Sequence, residues 1–406
     1  MAKKYVFPKG FLWGAATSSH QVEGGCRNNW SAWEKSKRRL LFLEKEGEIE
    51  KHGQENFISG RACDHYHHFK EDFQLAKDFG HNATRFSIEW SRIEPEEGKF
   101  DEQELGHYAE VLKTLKELKL EPFVTIFHWG IPLWLEKKGG LKAKNFSKYF
   151  SRYAEKLVKE YKNLAKFWIT LNEPEVITSL SYLLGKWPPQ KKNIFTAIKV
   201  YKNLMKSHIL AYKKIKSISS GLQVGIAKNN VYLEAYQGRL INQILKKIMD
   251  KILNFWFLNN IKNHQDFIGL NHYFHSRVNF GFNKNANKKV SDMGWELYPA
   301  SIYYSLIELK KYHRPIYITE NGLADAKDLH RPWFIKEYLK QVHRAIKEGV
   351  DVRGYFHWSL LDNFEWAEGF WPRFGLFEVD YQTLKRTPRP SAFLYKKIAE
   401  ENTVTD

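Results

Sequence analysis

Only two cysteines, Cys26 and Cys63, occur in 406 residues, too few for the disulfide framework of a small secreted domain. So sparse a pair fits a reducing cytoplasm, and no bridge between them is expected. No apolar run is long enough for a membrane-spanning helix, which excludes that class. The opening residues, M-A-K-K-Y-V-F-P-K-G, lack the apolar core of a signal peptide, and this again points to the cytoplasm. No G-x-G-x-x-G follows a strand-like run, which argues against a dinucleotide-binding fold. No internal repeat stands out.

Acidic residues are also in short supply: 46 Asp and Glu face 64 Lys and Arg, a net charge of +18. Such a surplus raises the question of a nucleic-acid partner, but its distribution answers no. Residues 191–220 hold eight Lys and no Asp or Glu. Within them Lys199, Lys202, Lys206 and Lys213 recur at helical spacing between apolar Ile198, Leu204, Met205 and Ile209. That is the solvated face of an outer helix, and no recognisable nucleic-acid module accompanies it.

What is present is a chain long enough for a large buried core. Eight short apolar runs predict strands at 11–16, 83–90, 121–127, 167–172, 222–228, 266–273, 316–320 and 352–359. Helical patterns lie between them, for instance at 102–118, 146–163, 195–216 and 333–348. Alternation of this kind predicts parallel pairing with right-handed crossovers. Eight units at this length suggest a closed α/β barrel, one domain over residues 1–406, rather than an open doubly wound sheet. Residues 41–61 and 274–292 read as long loops.

Two of the strands end alike. F-W-I-T-L-N-E-P (167–174) carries Glu173, and P-I-Y-I-T-E-N-G (315–322) carries Glu320. Each is an apolar run delivering a carboxylate at its C-terminal end. In a closed (β/α)8 barrel the chemistry lies at those ends. Gln21, His128, Trp129, Asn172, Asn271, Tyr273 and Trp358 lie at or just beyond strand ends as well. Two carboxylates at one mouth are the equipment for breaking a glycosidic bond, one giving a proton and one acting as nucleophile or base.

The chain resembles glycoside hydrolase family 1, retaining β-glycosidases on a (β/α)8 TIM barrel. The similarity runs from F-P-K-G-F-L-W-G-A-A-T-S-S-H-Q-V-E-G (7–24) to R-F-G-L-F-E-V-D-Y (373–381) and P-R-P-S-A (388–392). Between them lie D-H-Y-H-H-F (64–69), R-F-S-I-E-W-S-R-I-E-P (85–95), H-W-G-I-P-L-W-L (128–135), D-F-I-G-L-N-H-Y (266–273) and W-S-L-L-D-N-F-E-W (358–366). M-G-W-E-L-Y-P (293–299) and N-G-L-A-D-A-K-D (321–328) lean towards an archaeal-like branch.

The resemblance implies Glu320 as nucleophile, Glu173 as acid/base, and Arg85 and Tyr273 as the cation and donor beside the nucleophile. It assigns Asn172 to the sugar 2-hydroxyl. Gln21, His128, Glu365 and Trp366 would clamp the other hydroxyls, and Trp358 would form the platform under the ring. Trp129, Asn271 and Phe374 complete the expected substrate pocket. The substrates implied are β-glucosides, and also β-galactosides or β-fucosides, taken as small glycosides or short oligosaccharides. No cofactor or metal is implied, since His65, His67 and His68 read as parts of the first helix. Oligomeric state is not legible.

Two other readings compete. A sugar-binding barrel without catalysis would not need the glutamate pair with Arg85, Asn172 and Tyr273. A 6-phospho-β-glycosidase would need a Ser/Lys/Tyr phosphate grip, which A-E-G-F-W-P-R-F-G (367–375) lacks. The chain also departs from the family pattern. It is short between strands five and six, Glu175 stands where Trp is common, and His272 replaces a frequent Tyr. An open acceptor side with few apolar surfaces is therefore expected.

Overall fold

The computed structural model describes residues 3–280 and 289–406. Eight parallel strands close on themselves: β1 (Leu12–Ala16), β2 (Ala83–Ser87), β3 (Glu121–Phe127), β4 (Phe167–Asn172), β5 (Gln223–Asn229), β6 (Phe267–Asn271), β7 (Ile316–Asn321) and β8 (Val352–Trp358). Each pairs with the next in sequence, and β8 closes on β1 from Gly354–Leu12 to Trp358–Ala16. Helices His65–Asp78, Glu102–Glu117, Phe146–Tyr161, Ile194–Ile218, Ala300–Leu309, Arg331–Lys347 and Pro390–Glu401 surround the strands. Barrel strands are buried on both faces, which is why they read as continuous apolar runs.

The barrel interior changes character along its axis. Phe123, Phe167, Phe267, Tyr317 and Phe356 form one cluster inside it, with Phe123 and Phe167 stacked at 4.3 Å. Gly225 makes room for it, since a Cβ there would meet the Phe267 ring at 2.8 Å. Above this aromatic floor, at the C-terminal strand ends, the residues turn polar while staying buried: Arg85, Asn172, Asn271 and Glu320.

Most predicted elements lie within one or two residues of the observed ones. Two strands end earlier than their apolar runs do: 83–90 leaves the ladder at Ser87 and 266–273 at Asn271. Residues 41–61 are not a loop. They hold the end of helix Lys37–Lys45, helix Glu48–His52 and a turn of 3-10 helix at Glu55–Phe57. Ser36 caps the first of these by accepting from the Arg39 amide at 3.3 Å, and Leu43 is buried. Of the predicted loop 274–292, His275–Val278 is a strand paired in parallel with Tyr232–Ala235, and 281–288 lie outside the described residues.

Cys26 and Cys63 are separate, buried thiols. His65 is held by Asp72 at 2.7 Å, His67 by Asp64 at 2.6 Å and His68 by Glu71 at 2.8 Å. Among the described residues no helix is long and apolar enough to cross a membrane.

Candidate active site

A cavity of about 460 Å³ opens at the C-terminal end of the barrel. Ten of the sequence-predicted residues line it. Glu173, Glu320 and Tyr273 stand together with Gln21, His128 and Trp129. Trp358, Glu365, Trp366 and Phe374 form another part of its wall. Arg85, Asn172 and Asn271 lie beneath the lining, fully or almost fully buried.

Both strands that deliver a glutamate slip register just before it. β7 is irregular against β6 between Ile318 and Glu320, and β4 against β5 between Ile169 and Asn172. An irregularity of this kind re-aims the side chain that follows. Glu173 also sits at φ 42°, an uncommon left-handed conformation for a side chain of its size. Its amide is tied to the Ala227 carbonyl at 2.8 Å, and Pro174 then starts a short helix.

The two carboxylates have different partners. Glu320 accepts from the Arg85 guanidinium through one oxygen and from the Tyr273 hydroxyl through the other. Arg85 is itself fixed: Nη2 donates to Asn172 Oδ1 at 2.6 Å and Nε to Thr125 Oγ1 at 3.1 Å. Glu173 meets only amides. Asn271 Nδ2 donates to its Oε1 at 2.8 Å and Asn229 Nδ2 at 3.2 Å. Asn271 is aimed in turn by Thr319, whose hydroxyl donates to its Oδ1 at 2.7 Å.

These partners decide where the proton resides. Burial raises both carboxyls above the usual range. On Glu320 that effect is opposed by Arg85 and then by the Tyr273 hydroxyl. On Glu173 it is reinforced by the negative charges of Glu320 and Glu175, with the Asn271 and Asn229 amides opposing. Glu173 is therefore the more strongly raised of the two. Among the described residues no hydrogen bond reaches Glu173 Oε2.

Around the pair the other polar groups are locked in place. Asn172 Nδ2 lies 3.0 Å from His128 Nε2, and burial pulls the His128 pKa well down, so the ring is neutral. Nε2 then accepts and Nδ1 carries the hydrogen, buried with no protein partner. Gln21 donates to Asn363 at 2.8 Å and towards Glu365 at 3.3 Å. Burial, with the Glu320 charge added, pushes Glu365 up to about 8. Trp366 is wedged against Trp30 and Trp129 at 4.6 and 4.7 Å. Trp129 uses its indole N–H on the Asn172 carbonyl at 2.9 Å, so it offers the cavity a face rather than a donor.

Sequence reasoning missed several contributors. Asn229 ends β5, and the strand-end rule that found Asn271 applies to it equally. The outer wall holds Val176, Leu180, Trp187, Phe274, Met293 and Trp295. This corrects the expectation of few apolar surfaces there: segments following β4 and β6 supply them. Trp295 lies within the M-G-W-E-L-Y-P motif but was given no role.

Comparison with known proteins agrees with this geometry. The model of the glycosyl hydrolase family 1 matches residues 3–263 and 257–404. A 1,4-beta-D-glucan glucohydrolase of Thermotoga neapolitana is 35% identical over 451 residues, covering 98% of this chain and 99% of the relative. A β-glycosidase from Pyrococcus horikoshii superposes with a TM-score of 0.89 at 39% identity, covering 100% and 97% of the two chains. A β-glucosidase from Thermotoga maritima in complex with glucoimidazole superposes at 0.90 with 32% identity, covering 98% and 99%.

Proposed function

Because the chain belongs to glycosyl hydrolase family 1 and is a retaining β-glycosidase, we propose the division of labour within its site. Glu320 is the nucleophile and Glu173 the acid/base. The observation that carries this is the asymmetry of their partners, a cation and a phenol on one and amides on the other.

The reaction follows from that asymmetry. The ionised Glu320 attacks the anomeric carbon while Glu173 Oε2 protonates the departing oxygen. Retaining catalysis needs the two carboxyls about 5–5.5 Å apart. Once Glu320 is esterified its negative charge is gone, so the repulsion that kept Glu173 protonated is gone as well. Glu173 is then a carboxylate and takes a proton from the incoming water, which releases the sugar with its configuration kept.

The glycone is an unphosphorylated β-glucosyl unit, with galactosyl or fucosyl tolerated. Gln21, His128, Glu365 and Trp366 serve its hydroxyls, Asn172 its 2-hydroxyl, and Trp358 its apolar face. Four carboxyl residues, Glu173, Glu320, Glu365 and Glu368, line the cavity against one basic residue, Lys186. That balance disfavours a phosphorylated sugar. The enzyme acts in the cytoplasm, in keeping with its two reduced, buried thiols. A panel of aryl β-glycosides and their 6-phosphates tests the assignment. The unphosphorylated glucoside is expected to have the higher kcat/KM by at least about tenfold; preference for the phosphate would reject this glycone.

A further inference from the structure

Behind the acid lies a second pair of charges that the reaction above does not use. Lys228 stands on β5 in the otherwise apolar run V-G-I-A-K-N, and its side chain is fully buried. Its Nζ lies 3.1 Å from Oε1 of Glu175, whose side chain is 11% exposed. Neither residue lines the cavity. Burying such a pair costs desolvation that the attraction between its charges often fails to recover. An apolar pair of similar volume would hold β5 against the helix after β4 as well.

The pair is instead wired to Glu173 through one residue. Glu175 Oε1 accepts from the Asn229 backbone amide at 2.8 Å, and Lys228 Nζ donates to the Asn229 carbonyl at 2.5 Å. Both main-chain groups of Asn229 are thereby clamped, and the Asn229 side chain reaches Glu173 Oε1 at 3.2 Å. Glu175 Oε2 is buried without a hydrogen-bond partner, so part of its charge stays uncompensated close to the acid.

We propose that Lys228 and Glu175 are a positioning pair for the acid, holding Asn229 on one oxygen of Glu173 and placing a negative charge beside it. Asn229 and Asn271 keep the proton off Oε1, and Glu175 favours keeping it on the carboxyl. The groups facing Glu173 are Glu320 from β7, Tyr273 beyond β6, Glu175 from its own helix, Lys228 and Asn229 from β5, and Asn271 from β6. Of these, Glu320 and Glu175 raise its pKa and the two amides lower it. The inference rests on Glu173 being the acid.

The test is the pH dependence of kcat/KM for a poor leaving group, such as an alkyl glucoside, and for a dinitrophenyl glucoside. Glu175→Gln keeps an acceptor for Asn229 but removes the charge. Its basic limb should move to lower pH, with a loss of about tenfold on the alkyl glucoside above neutrality, part of the roughly 10²–10⁴ a general acid supplies. The dinitrophenyl substrate should change by less than about twofold, since it needs little protonation. Asn229→Ala removes a donor to the ionised form and should move the same limb upwards. If Glu175→Gln fails to fold, Glu175→Gln with Lys228→Met removes both charges together and should still move the limb downwards, by less, because the Lys228 cation acts on Glu173 in the opposite sense. A lowered Tm with the limb unmoved would make the pair a structural brace and overturn the proposal. Glu173→Gln is the control: if it does not separate the two substrates, the acid assignment fails rather than the pair.

Discussion

The ends of β4 and β7 look alike in sequence and behave differently in space. Each ends in a register slip that turns a glutamate into the cavity. At β7 the carboxylate meets Arg85 and Tyr273, whereas at β4 it meets two asparagine amides with another carboxylate close by. Local sequence delivers the carboxylate, and the neighbouring strands decide its charge. Two similar motifs can therefore serve opposite roles in one reaction.

The sharpest break of this comparison is Glu320→Ala. Turnover should fall by at least about 10⁴-fold, a fraction of the 10⁶–10¹⁷ enzymes supply, with the fold kept but weakened, because Arg85 loses its buried partner. Azide should restore part of the rate and give a product of inverted configuration, detected by NMR of the glycosyl azide. Wild-type rates in this variant would reject the nucleophile. Glu173→Gln should cost about 10²–10⁴-fold on poor leaving groups and little on activated ones, and should remove the basic limb of the pH profile. Equal losses across leaving groups would take the acid role from it.

Arg85→Met sharpens the comparison by making the two carboxylates more alike. Glu320 is pulled up by burial and held down by Arg85. Without the cation it stays protonated to higher pH, so the acidic limb should move upwards and neutral kcat/KM should fall by about a hundredfold. Removing one partner of a buried pair also costs about 3–5 kcal/mol of stability, read from denaturant unfolding. An acidic limb left in place would show that Arg85 does not set the charge of Glu320. The smallest effect concerns the acceptor side. The apolar residues beside the cavity, Trp187 and Trp295 among them, predict that kcat/KM rises by about threefold or more for β-glucosides from two to five units. A flat series would show that this wall adds no distal subsites.

How much of this was legible depends on what each signal was made of. The runs at 121–127 and 167–172 coincide with strands because two-sided burial demands unbroken apolar sequence. The run 266–273 was read too long because His272 and Tyr273 continue its character after the ladder stops. The end of helix Lys37–Lys45 reads as loop from residue 41 because the helix's buried side, Arg39 and Leu43, includes a charge. Arg39 is held there by the Ala367 carbonyl and the Trp33 ring, a partnership made far along the chain. The line-up of Glu173 and Glu320 at one mouth followed from the strand-end rule. The register slips did not, since pairing register belongs to two strands at once. Asn229 was missed as one polar residue among several at the end of a strand.

The aromatic floor has a consequence for traffic. Phe123, Phe167, Phe267, Tyr317 and Phe356 stop the barrel from below, so nothing passes through its far end. Whatever departs from the sugar must leave by the route that water will use to enter. An alcohol that lingers in the doorway stands where water should, and can take its place as acceptor. The same floor that closes the barrel therefore makes its C-terminal mouth the place where leaving group and water meet.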